Sequence, residues 1–284
     1  MEKTENRNAA ELTPENHMDG MERLELTVSR IYEPFPHLIR LTGTINPTNP
    51  IEWQQANVAV RFEIGETGQG RKVYRIYTIR SFNPATHEIE VDFVKHEGES
   101  PAINWLKTLK AGAHAYLIGP RPQFSTEEYK NKKLKLFADE TAIPAIFSIL
   151  SHWPENTEAE IYIESATAEA AGELPDRKGV KKHIYVRKEK EHPGQTGFLV
   201  HSAEKITDAE DCSIWIACER EEARAIRKHF MANCNVKKQN IKAIGYWRIG
   251  LASSEIEKIR GKYYNELIAQ GKTEKDFDEF DIPA

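Results

Sequence analysis

In the first half of the chain, apolar and polar residues alternate in short runs: LELTVSRIY, HLIRLTGTI, NVAVRFEI, VYRIYTIRSF, EIEVDFVKH and AHAYLIGP. Stretches rich in turn formers, such as NPTNP and GETGQGRK, separate them. A period of two marks strands whose successive side chains face opposite sides. Strands at this spacing predict an antiparallel barrel or sandwich. One helical segment interrupts, AINWLKTLK, with Ile103, Leu106 and Leu109 at helical spacing.

The period then changes. KLKLFA reads as a strand and AIPAIFSILSHW as a helix. The strands EAEIYIES and KHIYVRK follow, then a loop around EHPGQTG, the strand SIWIACE, the helix REEARAIRKHFMA and the strand IKAIGYWRIG. This β/α alternation predicts a parallel sheet of nucleotide-binding type. The change falls within RPQFSTEEYKNKK, residues 121–133. The chain thus divides into a polar lead-in (1–20), a β domain (21–130), an α/β domain (131–250) and a C-terminal extension (251–284). In the extension, Ser254 and Glu257 form a capping-box pattern that opens a helix, and Gly271 is its expected stop. An acidic, aromatic end, EKDFDEFDIPA, follows.

Composition narrows the function. The chain has 284 residues, 39% hydrophobic and 29% charged, with a net charge of -5. A general nucleic-acid binder would be basic. No apolar run reaches the roughly 18 residues of a membrane span, and the polar lead-in lacks the apolar core of a secretory signal. Cys212, Cys218 and Cys234 are odd in number and lack metal-ligand spacing, which fits a reducing, cytoplasmic setting. The histidines are scattered, without an HxH or HExxH pattern, so no metal site is expected.

Four stretches carry chemistry. In RIYTIR, Arg75 and Tyr77 share one face of a strand while Ile76 and Thr78 share the other. A cation, a ring and a hydroxyl in succession suit either a satisfied barrel face or a ligand with a charged end and a flat aromatic part. In HEGESPAINWLKTLK, Ser100 is a natural N-cap before Pro101. The helix start there either is simply capped or favours an anion. FADETAIPA follows a strand and opens a helix where dinucleotide-binding folds place a glycine-rich turn, but it holds Asp139, Glu140 and Thr141 instead. WIACEREEAR repeats this layout with Cys218 and Glu219 at the strand end. Cys218 reads as a buried thiol more readily than as a nucleophile. In GYWRIG, Tyr246 and Arg248 share a face, and Trp247 is either core or the cover of a flat ring.

In order along the chain, RIYTIRSFNPATHEIEVDFVKHEGESPAINWLK, AGAHAYLIGPR, FADETAIPAI, WIACE and GYWRIG resemble the siderophore-interacting protein family, FAD-dependent ferric-siderophore reductases related to ferredoxin–NADP reductases. The resemblance spans residues 20 to 250. It implies a flavin-binding antiparallel barrel, a parallel-sheet nucleotide-binding domain and a C-terminal helical extension. It implies that Arg75 meets FAD phosphate, Tyr77 packs on the flavin or ribityl chain, and Thr78 bonds the reactive edge of the isoalloxazine. Asp92, Phe93, Val94 and His96 would line the adenine and ribityl side, and Ser100 and Ala102 would hold pyrophosphate. Asp139, Thr141, Ala142 and Trp247 would complete the cofactor site. Ala138 and Cys218 stand where the family often has glycine. For a nicotinamide donor, Glu140, Glu164 and Glu219 are the candidates. Glu164 at a ribose hydroxyl favours NADH, whereas Arg187 and Lys188 could meet the extra phosphate of NADPH. Ferredoxin is the other implied donor. Arg248, Arg121, Lys258, Arg260 and Lys262 are the cations for an anionic ferric siderophore. A monomer is expected. A carrier that keeps FAD structurally, and an electron-transfer flavoprotein for another acceptor, are the rival readings.

Overall fold

The computed structural model describes residues 20–95, 100–251 and 253–272, with the side chains of 253, 254, 257, 258 and 260 left out. The lead-in, His96, the acidic end, and the side chains of Ser254, Glu257, Lys258 and Arg260 therefore lie outside the described residues.

Each alternating run of the first half forms a strand: β1 (Glu22–Phe35), β2 (Leu38–Thr44), β3 (Val58–Glu66), β4 (Lys72–Asn83), β5 (Glu88–Val94) and β6 (His114–Pro122), with short helices α1 (Pro50–Trp53) before β3 and α2 (Pro101–Leu106) before β6. They close into an antiparallel barrel in the order β1-β2-β5-β4-β3-β6. Along β3, Val58, Val60, Phe62 and Ile64 are buried, and the residues between them are not. This alternation is what a barrel with one filled and one wet face requires. Leu26, Leu41, Phe93 and Leu117 meet the β3 residues inside. α2 plugs this core, its Trp105 ring lying 5.6 Å from Phe62 and 6.2 Å from Phe93.

The connection carries α3 (Thr126–Tyr129), capped by Ser125. Next come β7 (Lys133–Ala138), α4 (Ile143–Ser151), β8 (Glu158–Ser165), α5 (Ala168–Gly172), β9 (Val180–Val186), α6 (Phe198–Glu204), β10 (Cys212–Glu219), α7 (Arg220–Asn233), β11 (Ile241–Trp247) and α8 (Ser253–Ala269). The sheet order is β11-β10-β7-β8-β9, with every neighbouring pair parallel. Every residue of β10 is buried, as a central parallel strand covered on both faces requires. From β7 the chain winds outward through β8 and β9, then crosses back to lay β10 on the other side of β7. The crevice outside the carboxyl ends of β7 and β10 is therefore the topological switch point, where open sheets bind ligands.

All the expected strands are present. The helix expected over AINWLKTLK stops at Leu106, and GFLVHSAEK, for which the pattern predicted no helix, contains α6. α6 has only seven residues, and its N-cap is Gly197 at φ 70° with no side-chain bond, so it carries no capping signal. Among the described residues, no helix is long and apolar enough to cross a membrane, and no His/Cys/Asp/Glu group has the geometry to hold a metal.

Candidate functional site

β4 presents the opening constellation as the alternation predicted. Arg75 pairs across from Phe62 and Tyr77 from Val60, both core positions, while Ile76 points outward and is 53% exposed. The Tyr77 ring lies 4.1 Å from that of Phe93 and 6.2 Å from that of Phe62. Burial pushes its hydroxyl up to about 12, against the opposing charge of Arg75. Arg75 is buried, and its Nη1 donates to the Tyr74 carbonyl at 2.7 Å. Phe93 and Ala102 belong to the barrel core, and Val94 is half-buried at the end of β5. Ser100 accepts the Ile103 N–H at 3.4 Å and so caps α2.

Asp92 faces away from this group. Arg40 donates to its two oxygens at 2.6 and 2.9 Å, and Arg80 reaches it at 3.4 Å. The same two arginines bind Glu173, just past α5, at 2.8 and 2.7 Å. Two barrel cations and two carboxylates thus close a buried junction between barrel and sheet. Burial lifts the Asp92 carboxyl despite both guanidiniums.

At the switch point the carboxylates gather. Asp139 accepts the Thr141 N–H at 2.9 Å, the Thr141 hydroxyl at 2.5 Å and the Trp247 indole N–H at 2.7 Å. Burial pushes Asp139 up against these hydrogen bonds. Ala142 is fully buried behind it. Arg187 bridges Glu140 and Glu164, reaching Glu164 at 3.1 Å, and the Thr196 hydroxyl closes on the second Glu164 oxygen. Burial raises Glu140 to about 7. Glu219 caps α7 by accepting the N–H groups of Glu221 and Glu222 at 2.6 and 3.1 Å, and it also accepts the Ile249 N–H at 3.2 Å. Glu222 keeps both carboxyl oxygens buried without a hydrogen-bond partner. Burial, then the charges of Glu164, Asp139 and Glu219, push it up to about 8. The Cys218 thiol is buried here too, and burial raises it well above its ordinary value, which leaves it inert.

The loop between β9 and α6 lies against these strand ends. At Gly194, with φ at 69°, an added Cβ would stand 2.9 Å from Glu219 Cγ and 3.2 Å from the Trp247 ring. Only a residue without a side chain allows that approach. Across the seam, the Tyr246 hydroxyl adjoins Thr78 of β4 and the Asn57 amide, and burial pushes it up to about 12.

The structure thus brings Thr78, Asp139, Thr141, Ala142, Glu219 and Trp247 to one seam, with Glu140 and Glu164 beside it. Among the described cations, Arg121 and Arg248 lie at opposite ends of β11. Arg248 is half-buried directly after β11. Arg121 is exposed near Lys242, at the opposite end of that strand. Lys262 is exposed on α8 and pairs loosely with Glu266 at 3.9 Å. Sequence reasoning missed Asn57, which precedes β3 with no distinguishing pattern. It also missed Glu222, whose place in a helix-opening EREE run reads as an ordinary dipole effect.

A model of the siderophore-interacting protein family matches residues 131–250, and one of the siderophore-interacting FAD-binding domain matches residues 39–124. The chain is 41% identical over 271 residues to ferric acinetobactin reductase of Acinetobacter baumannii, covering 95% of this chain and 94% of that protein. The chain belongs to the siderophore-interacting protein family. The solved structure of the siderophore-interacting protein from Acinetobacter baumannii superposes with a TM-score of 0.82 at 42% identity, over 88% of this chain and 99% of that one. A ferredoxin–NADP+ reductase from Plasmodium falciparum, at 13% identity and a TM-score of 0.59 over 79% of this chain and 96% of that one, shares the fold.

The seam fits the cofactor that the family's barrel takes. The core face of β4 offers a buried cation at Arg75 and a ring at Tyr77, and the seam face offers a hydroxyl at Thr78 beside a buried amide at Asn57 that lacks a well-formed hydrogen bond.

Proposed function

We propose that this chain is an FAD-dependent ferric-siderophore reductase, with FAD lodged where β4 meets the carboxyl ends of β7 and β10. The observation that carries this reading is the meeting of Thr78 with Tyr246, beside Asp139 and Trp247, at the switch point of a chain whose barrel matches an FAD-binding family. Likeness to ferric acinetobactin reductase supports chelated Fe(III) as the acceptor. Bound FAD supplies the redox chemistry, carrying electrons from a donor to Fe(III) in its chelate.

The chain's residues bind and orient. Arg75 offers a cation to a phosphate, Tyr77 supports the ribityl or ring system, and Thr78 offers its hydroxyl to the reactive edge. Ser100 and Ala102 bring α2 up to the pyrophosphate. Asp92 serves by holding Arg40 in place and not by touching the cofactor. Arg248, next to the exposed Ile249, gives the mouth a cation and an apolar contact for an anionic chelate, with Lys262 as an outer contributor. Arg121 has no part, because it lies at the far end of β11. Once reduced, Fe(II) is held weakly by hard-oxygen chelators and leaves.

Charge at the strand ends bears on the donor. Glu164 is fully buried and engaged by Arg187 and Thr196, so it offers nothing to a ribose hydroxyl. Arg187 is engaged by two carboxylates, so it offers little to a phosphate. This supports reduced ferredoxin over NADH or NADPH. Stopped-flow reduction by each of the three, followed by ferric siderophore, tests the whole reading. We expect flavin bleaching by ferredoxin and reoxidation by the chelate faster than by oxygen. Faster bleaching by NADH or NADPH removes the donor assignment, and no reoxidation by the chelate makes the protein a carrier. Arg75→Ala should weaken FAD retention by about 1.5–3 kcal/mol, seen as loss of yellow colour on desalting.

A further inference from the structure

Asn57 sits at the end of the barrel, just ahead of β3. Its backbone is fixed on both sides: the N–H donates to Ser148 Oγ of α4 at 3.0 Å, and the carbonyl accepts the Gln123 N–H at 2.9 Å. Its φ of 53° lies in the left-handed region, which asparagine tolerates and glycine prefers. The side chain is the anomaly. It is fully buried, yet neither Nδ2 nor Oδ1 makes a well-formed hydrogen bond, and its contact with the Tyr246 hydroxyl is a loose one. An orphaned amide in a dry site is costly and calls for a reason. Glycine would meet the same backbone demand without that cost.

The amide adjoins the Tyr246 hydroxyl, and the same hydroxyl adjoins Thr78. Tyr246 is itself held on β11, whose next residue, Trp247, donates to Asp139 at 2.7 Å. Its phenol stays protonated through the neutral range, so it has one hydrogen to give and lone pairs to receive. An N–H from Asn57 directed at the phenol oxygen leaves the O–H pointing to the other side, toward Thr78.

We propose that Asn57 is a positioning residue whose amide turns the Tyr246 hydroxyl toward the flavin edge that Thr78 faces. This rests on the FAD reading and adds to it a residue that touches no part of the chemistry directly. The amide completes its hydrogen bonding through Tyr246 once the cofactor fills the seam.

The test uses the full chain and FAD. Asn57→Gly keeps the left-handed backbone and deletes the amide. Asn57→Asp keeps its size but offers only acceptors, so it pulls the Tyr246 hydrogen back toward residue 57. We expect Asn57→Gly to weaken oxidised-FAD binding about three- to tenfold, with a shifted flavin midpoint potential and absorption band, and Asn57→Asp to shift both further. Tyr246→Phe should reproduce the glycine effect, and adding Asn57→Gly to it should change nothing more. If Asn57→Gly does not fold, the Asn57→Asp and Tyr246→Phe pair gives the same coupling. Additive effects in the double variant, or a glycine variant with wild-type affinity, potential and spectrum, overturn the proposal. A wild-type chain that takes up no FAD overturns the FAD reading instead.

Discussion

Two buried charge clusters in this molecule are built on opposite principles. The junction of Arg40, Arg80, Asp92 and Glu173 sets two cations against two anions in close contact. The strand-end cluster sets Asp139, Glu140, Glu164, Glu219 and Glu222 around Arg187. The first is electrically closed and joins two domains. The second is short of positive charge, and burial leaves Glu140 at about 7 and Glu222 at about 8. Balanced charge marks a structural joint, whereas the unbalanced charge lies at the switch-point crevice, where perturbed carboxylates are candidates for function.

Glu173 of the first and Glu222 of the second have opposite pH signs. Burial raises Glu173, but the Arg40 hydrogen bond and the charges of both arginines outweigh it and hold the carboxyl below 4.5. Its contribution is complete above 4.5 and disappears as the pH falls through the lowered value. Glu222 does the reverse. The folded state holds its proton to about 8, against 4.5 for the ordinary group, so stability is lost as the pH rises from about 4.5 to about 8.

Breaking the balanced joint should have the largest effect. Asp92→Ala leaves two buried guanidiniums to share the carboxylate of Glu173 and should cost about 3–5 kcal/mol in urea unfolding. Relieving the unbalanced cluster should do the opposite: Glu222→Gln should stabilise by about 1–3 kcal/mol at pH 8 and flatten the decline between pH 5 and 8, read from thermal melts. Crowding the loop over that cluster comes next. Gly194→Ala forces a Cβ onto Glu219 at a positive φ and should cost about 1–2 kcal/mol. As the control, Lys262→Ala removes an exposed pair and should change stability by less than about 0.5 kcal/mol.

The strands and the change from an antiparallel half to a parallel sheet were legible because periods of two and of β/α alternation are local; the barrel came from the family resemblance, and the strand order, set by crossovers, was not legible. The β4 constellation was legible for the same reason, since alternation alone puts Arg75 and Tyr77 on one face. What could not be read was pairing at a distance. Nothing in IESA or YVRK says that Glu164 and Arg187 neutralise each other, because that follows from the register of β8 against β9. Asp92 looked like a ligand residue until β2 and β4 set Arg40 and Arg80 beside it. Asn57 gave no signal at all, since its neighbours arrive from α4, the interdomain connection and β11.

Among the described residues, the ties between barrel and sheet include Ser148 to the Asn57 N–H, Glu173 to Arg40 and Arg80, and the Lys242 ammonium to the Gln123 carbonyl, just past the barrel. They attach at α4 behind the central strand β7, at α5 ahead of one edge strand, and at β11 on the other edge. A slab pinned at its middle and along both margins does not rock about any one pin. Rocking of the barrel against the sheet would therefore break more than one of these ties at once.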